Sequence, residues 1–254
     1  VSYLKGLGNV FQRVERIKFI ALKVLKNLND KFLDKEKIIE AAYFSKNDLC
    51  SEIVYEFPEL QGIMGGKYLK YEGYSEEVCL AVAEHYLPSS SKDELPSTKY
   101  GAIVSIADKL EILISIFISG KRPSGSSDPY ALRRSLNGVV KIMWNFELDF
   151  SIENLFEELI EYWKTSIPNL NFTQKRVFDD LIEFLLQRIE SHLEEISLDK
   201  ELIRAICSSD EFFNKRILNI TDLKNRIEAI SVYKERGSFD KIQKIITRVS
   251  KLAD

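Results

Sequence analysis

Apolar positions recur at three- and four-residue steps through most of the chain. From Phe11 to Leu28 the series Phe11, Val14, Ile17, Phe19, Ala21, Leu22, Leu25 and Leu28 predicts an amphipathic helix, to which Arg13, Arg16, Lys18, Lys23 and Lys26 give a basic outer side. Asp34 offers an N-cap for the next periodic stretch, Lys35 to Phe57, which breaks near Ser45 into two helices and stops at Pro58. A short helix from Glu59 to Tyr68 follows. Ser75 then caps a helix whose first turn carries Glu76 and Glu77, where the dipole favours acids, and which ends at Glu84-His85-Tyr86-Leu87-Pro88.

Beyond the polar stretch Ser89 to Ser97, a long apolar helix is predicted from Thr98 to Ser119, with Gly120 as its stop. The segment from Gly120 to Pro129 is the richest turn sequence in the chain. Asp128 and Pro129 fit an N-cap and first-position pair opening a helix that runs to Trp144. After Asn145 the pattern is one of acidic amphipathic helices: Ile152 to Lys164, Thr173 to Leu193, Asp199 to Cys207, Glu211 to Leu218, Thr221 to Glu235 and Phe239 to Ala253. No alternating run of β-branched residues and no internal repeat interrupts them. The expected fold is all-α, with a soft boundary at Phe146 to Ser151 that separates residues 1–147 from a second helical domain, 148–254.

Composition agrees with this reading. A chain of 254 residues can bury about 75% of its extended surface, so a core needs no disulfide or metal staple. Only 11 Gly and 6 Pro suit a helix-rich protein. Cys50, Cys79 and Cys207 lie far apart without a C-x-x-C spacing, which suggests neither a disulfide framework nor a zinc cluster and points to a reducing, cytoplasmic setting; Cys50 and Cys79 read as core fillers. Asp108, Lys109 and Glu111 interrupt the most apolar stretch, so it reads as a buried helix and not as a membrane span. The chain starts at Val1 where an initiator Met would stand, as expected of a piece of a longer protein. A net charge of −3 argues against coating nucleic acid by bulk electrostatics while leaving room for a local basic patch.

Two constellations carry candidate chemistry. In the turn after Gly120, glycine backbone, hydroxyls and exposed helix-start N–H groups would form an anion site, with Lys121, Arg122, Arg133 and Arg134 around it. The alternative is an interhelical turn whose arginines pair with carboxylates. Ser126 and Ser127 stand where a nucleotide-hydrolysing loop needs Lys and Ser/Thr. The second constellation is Asp48, His85 and Asp108 on neighbouring helices, a donor set of the kind helical phosphohydrolases use for Mn, Fe or Zn. No adjacent His-Asp pair completes it, and the simpler reading has His85 bonding the last carbonyls of its helix and Asp108 satisfied by a neighbouring base. His192 reads as a surface residue. No G-x-S-x-G elbow is present, and a C-terminal basic run of Lys234, Arg236, Lys241, Lys244, Arg248 and Lys251 reads as a phosphate-tracking or simply solvated face.

Periodicity does not account for Glu56-Phe57-Pro58-Glu59-Leu60-Gln61-Gly62-Ile63-Met64-Gly65. This string resembles the beta subunit of bacterial heterotetrameric glycyl-tRNA synthetase. Glu84-His85-Tyr86-Leu87-Pro88, Ala107-Asp108-Lys109-Leu110 and the run from Pro123 to Arg134 resemble the same family in the same order, with Leu7-Gly8, Val14-Glu15-Arg16-Ile17 and Arg226-Ile227-Glu228-Ala229-Ile230 as further similarities.

The resemblance implies an HD-superfamily-like helical domain over 1–147, with Asp48, His85 and Asp108 as a degenerate constellation, and over 148–254 a helical tRNA-binding region preceding further C-terminal helices. It implies a tRNA-binding subunit in which this fragment has no catalytic residues, metal or cofactor of its own, while ATP and Mg act at the alpha subunit. The expected partners are glycine tRNA and that alpha subunit, with no membrane. Lys121, Arg122, Ser124, Gly125, Ser126, Arg133 and Arg134 become the expected tRNA contacts. A scaffold that holds the alpha subunit, and an HD-type metal-dependent phosphohydrolase, are the alternatives.

Overall fold

The computed structural model describes residues 4, 6–90, 92–167, 170–196 and 219–235. Ten α-helices run through them: α1 (Val10–Leu28), α2 (Lys35–Phe44), α3 (Glu52–Glu56), α4 (Ile63–Tyr71), α5 (Glu76–Glu84), α6 (Lys99–Ile118), α7 (Leu132–Phe146), α8 (Ile152–Ser166), α9 (Gln174–Glu195) and α10 (Ile220–Glu235). Short 3-10 turns at Asn47–Cys50 and Pro58–Leu60 flank α3. There is no β-strand among the described residues, so the all-α expectation holds. None of the helices is long and apolar enough to cross a membrane. The segments predicted at Asp199 to Cys207, Glu211 to Leu218 and Phe239 to Ala253, with Arg236, Lys241, Lys244, Arg248 and Lys251, lie outside the described residues, as does the side chain of Lys234.

Local capping sets most helix starts where the sequence places them. The Asn9 side chain accepts from the Gln12 amide at 2.9 Å while the Gln12 side chain accepts from the Asn9 amide at 3.0 Å, closing a capping box at α1. Asp34, Ser75, Thr98 and Ser151 cap α2, α5, α6 and α8. Helix α7 differs. It begins at Leu132 and not at Pro129, because Ala131 turns left-handed at φ 54°, and the Asp128 carboxylate reaches forward to accept from the amides of Leu132 (2.8 Å) and Arg133 (3.0 Å).

Helix α6 is apolar on almost every face and is buried accordingly, packed by α1, α2, α5, α7, α8 and α9. Its Ile106, Leu110 and Ile114 join Ile17, Ile20 and Val24 of α1, Val139 and Ile142 of α7, Trp163 of α8 and Leu181 of α9 in one core. Burying each such aliphatic side chain contributes about 1.5–3 kcal/mol. The core continues through Leu148, Phe150 and Ile152 to Ile220 and Leu223 of α10. A smaller cluster of Leu69, Val78, Val82 and Val104 holds α4 and α5 against α6. There the helices approach so closely that a Cβ on Gly66 would sit 2.5 Å from the Cys79 carbonyl.

Candidate functional site

Between α1, the turn at 47–50, α5 and α6 lies a buried polar centre that holds two of the three residues of the Asp48, His85, Asp108 constellation in direct contact with one lysine. Asp108 is drawn into the apolar helix α6, and its Oδ1 accepts from Arg13 Nη2 at 2.8 Å and from Lys46 Nζ at 2.9 Å. Lys46 Nζ also donates to His85 Nε2 at 2.8 Å and sits over the Tyr86 ring, 3.7 Å from its centroid. His85 Nδ1–H donates to the Val82 carbonyl at 2.6 Å, which leaves Nε2 as the acceptor and the imidazole neutral. Asp48 faces the same region from the 47–50 turn. Its Oδ2 accepts from the Gly62 amide at 2.6 Å, and its Oδ1 has no hydrogen-bond partner among the described residues.

Gly62 is required by this arrangement. Its φ of +79° aims the amide at Asp48, and a Cβ there would meet the Ala83 carbonyl at 2.9 Å. This gives a physical account of the Gln61-Gly62 step that periodicity did not explain.

A second layer adjoins the first. Glu111 accepts from Arg13 Nε (3.0 Å), Arg16 Nε (2.9 Å) and Ser115 Oγ (2.9 Å), while Ser115 Oγ accepts from the Trp163 indole at 3.1 Å. Arg13 and Arg16 therefore point inward, and the basic outer side expected for α1 is left to lysines. Lys109 donates to the Tyr86 carbonyl at 3.0 Å and the Leu87 carbonyl at 2.9 Å.

The titration behaviour follows from burial and pairing. Burial pulls Lys46 down to about 7, against the opposing pull of Asp108. Burial alone would raise the Asp108 carboxyl, but the Lys46 ammonium and the Arg13 guanidinium hold it well below the usual carboxylate range. Burial, reinforced by the Lys46 charge, keeps His85 well below the ordinary imidazole value. Lys109 falls to about 8, chiefly by burial. The two simpler expectations are met: His85 bonds a carbonyl of its own helix, and Asp108 is satisfied by bases. No group of three His, Cys, Asp or Glu side chains is placed to hold a metal ion among the described residues. Chemically, the centre is an internally neutralised clamp joining four elements.

The turn after α6 is exposed. Ser124 and Ser127 exchange backbone hydrogen bonds at 3.1 and 2.9 Å around Gly125, whose φ is +52°. Ser124, Gly125 and Ser126 all face solvent. Lys121 donates to the Tyr130 hydroxyl at 2.8 Å, and Arg122 makes a two-point ion pair with Asp180 of α9. Arg133 is half-buried and Arg134 exposed. Because Asp128 occupies the Leu132 and Arg133 amides, those N–H groups are not open to an external anion as expected. The basic surface is wider than the sequence suggested. Burial and the neighbouring Arg176 lower Arg122, and burial and Arg133 lower Arg188, which places both additional arginines beside the expected ones.

Sequence reasoning missed Lys46, Arg176 and Arg188. Lys46 stands in an ordinary polar tetrapeptide, and nothing local marks it as buried. Two further readings are corrected. His192 is buried against Trp144, ring centroids 5.0 Å apart, because α9 packs on α7 through that face. Cys50 is exposed at the end of its 3-10 turn, whereas Cys79 is buried as expected.

A family model described as glycyl-tRNA synthetase beta subunit matches residues 1–208. The chain is similar to the glycine–tRNA ligase beta subunit of Trichodesmium erythraeum, 38% identical over 257 residues that cover 100% of this chain and 35% of the relative. It is 40% identical to that of Halothermothrix orenii over 206 residues, 81% of this chain and 29% of the relative. It is 35% identical to that of Thermodesulfovibrio yellowstonii over 254 residues, 99% of this chain and 35% of the relative. The chain thus spans about a third of the length of the curated relatives it matches. The match runs through the polar centre and the basic turn alike, and the chain belongs to the glycyl-tRNA synthetase beta subunit family.

Proposed function

We propose that this chain is a tRNA-binding, non-catalytic segment of the beta subunit of glycyl-tRNA synthetase, which helps to position glycine tRNA for ATP-dependent aminoacylation at the alpha subunit. The observation that carries the proposal is the exposed 124–127 turn beside Lys121 and Arg134, inside the family-matched span. Exposed serine hydroxyls and glycine backbone with arginines alongside suit phosphate oxygens, and such contacts position an RNA without reading its sequence. Lys121, Arg122, Ser124, Gly125, Ser126, Arg133 and Arg134 are the assigned contacts. In this reading Asp48, His85 and Asp108 form a degenerate HD-like constellation with a structural task, and ATP and Mg act elsewhere.

The test is Arg133→Ala with Arg134→Ala in the full-length subunit. Loss of two phosphate contacts lowers glycine tRNA affinity and reduces the log–log salt slope by about one per contact. A folded double variant with an unchanged slope overturns the assignment. Arg122 is in addition paired with Asp180 of α9, so Arg122→Ala is expected to lower the melting temperature as well as weaken tRNA binding.

A further inference from the structure

Around Lys46 the buried centre is arranged as it would be around a metal ion. His85 presents Nε2 to the lysine Nζ at 2.8 Å, while its Nδ1–H is fixed on the Val82 carbonyl at 2.6 Å. One ring nitrogen on a cation and the other tied to a backbone carbonyl is how proteins orient a metal-binding imidazole. The same ammonium is bound by Asp108 Oδ1 at 2.9 Å and lies 3.7 Å from the centroid of the Tyr86 ring. A neutral imidazole nitrogen, a carboxylate and an aromatic face all favour positive charge at one point, and the fully buried Lys46 side chain brings it there.

A metal ion does not fit these donors. Zinc is held by about four ligands at about 2.0–2.2 Å for N and O donors, and only His85 and Asp108 converge on this point. Asp108 Oδ1 is already shared with Arg13 at 2.8 Å, and Asp48 turns its Oδ2 to the Gly62 amide at 2.6 Å. An aromatic face suits an ammonium and is no ligand for Mn, Fe or Zn. We propose that the Lys46 ammonium fills a built cation site between His85, Asp108 and Tyr86, standing in for a metal ion, so that the centre is held together without one and takes up no divalent metal. With the ammonium in that place no coordination position is left for a metal-activated water, which the phosphohydrolase reading needs. The proposal gives a cause for the structural task of His85 and Asp108 and uses none of the residues assigned to tRNA, so the two stand or fall separately.

The experiment uses the full-length beta subunit and reads hydrogen exchange of peptides from α5 and α6, which reports on this centre within a larger subunit. Lys46→Ala is expected to exchange at least about tenfold faster there than the wild type, because it leaves a buried carboxylate and an imidazole short of a partner. Propylammonium, which replaces the atoms of Lys46 beyond Cβ, is then added to the variant, with propanol as its uncharged analogue and sodium chloride as the salt control. At about ten times its dissociation constant the amine slows the exchange about tenfold, whereas propanol and sodium chloride do not, and the wild type is unaffected. Should Lys46→Ala fail to fold, Lys46→Gln, which keeps hydrogen-bond donors without the charge, is expected to exchange several-fold faster than the wild type. Equilibrium dialysis of the wild type against zinc or manganese ions is expected to show no uptake that depends on His85. Rescue by propanol as well as by the amine, rescue by neither, a Lys46→Gln variant as protected as the wild type, or wild-type metal uptake that a folded His85→Gln variant lacks would overturn the proposal.

Discussion

The ammonium group of Lys46 lies 2.8 Å from Nε2 of His85, and neither side chain is exposed to solvent beyond 2%. A lysine that donates to a neutral imidazole and to the Asp108 carboxylate makes each of the three dependent on the other two. The 47–50 turn, α5 and α6 are tied through this one nitrogen, and Arg13 adds α1.

Lys46→Met is expected to destabilise the fold by about 3–5 kcal/mol, since it removes one partner of a buried ion pair and leaves His85 Nε2 without a donor. Urea unfolding measures it. A loss below about 0.5 kcal/mol, the size of an exposed ion pair, would contradict the clamp.

The pH dependence has a defined sign. His85 is held below its ordinary value, so an unfolded chain takes up a proton below pH 6.5 that the folded one refuses, and stability falls as the medium is acidified through that range. Lys46 is likewise depressed, from 10.5 to about 7, so its contribution is greatest above 10.5 and is lost progressively as pH falls towards 7. Thermal melts between pH 5 and 10 check both. In Lys46→Met the part of the slope above pH 7 should flatten, and an unaltered slope would show that another group controls it.

Gly66→Ala is expected to cost about 1–3 kcal/mol, because the new methyl would stand 2.5 Å from the Cys79 backbone carbonyl and α4 and α5 would have to separate. Gly73, also in this region, has φ +87° and open space around it, so Gly73→Asn, a residue that tolerates left-handed backbone, serves as the near-neutral control. Equal effects of the two would remove close helix approach as the explanation.

Asp128→Ala uncaps α7 and is expected to lower stability by about 1 kcal/mol. It also deletes a carboxylate beside the basic turn. Under the proposed phosphate contact, glycine tRNA then binds with equal or greater affinity while the melting temperature drops. A marked loss of tRNA affinity would mean that the shape of the turn, and not its charge, governs binding.

How much of the molecule could be read from the chain depends on how far each cause extends. Asn9, Asp34, Ser75, Thr98 and Ser151 act on amides two or three residues away, so helix starts were legible at those positions. At α7 the cap reaches from Asp128 over a left-handed Ala131, and the shorter Asp128-Pro129 pattern misplaced the start by three residues. His85 and Asp108 were grouped with Asp48 from their residue types and their places on neighbouring predicted helices. Their true neighbour, Lys46, was not, because its burial depends on Asp108 and His85, which lie 62 and 39 residues away.

By itself, then, the sequence determined what local spacing and short-range hydrogen bonding control: an all-helical chain, the buried character of α6, most helix ends and the family. Only the tertiary structure decided which charges were to be taken out of water. It turned Arg13 and Arg16 from an outer face into a buried network, placed His192 inside and Cys50 outside, and filled one of the two expected anion-binding features with Asp128. The reason is physical. The cost of a buried charge is met only by partners distant in sequence, and the identity of those partners is a property of how the helices pack.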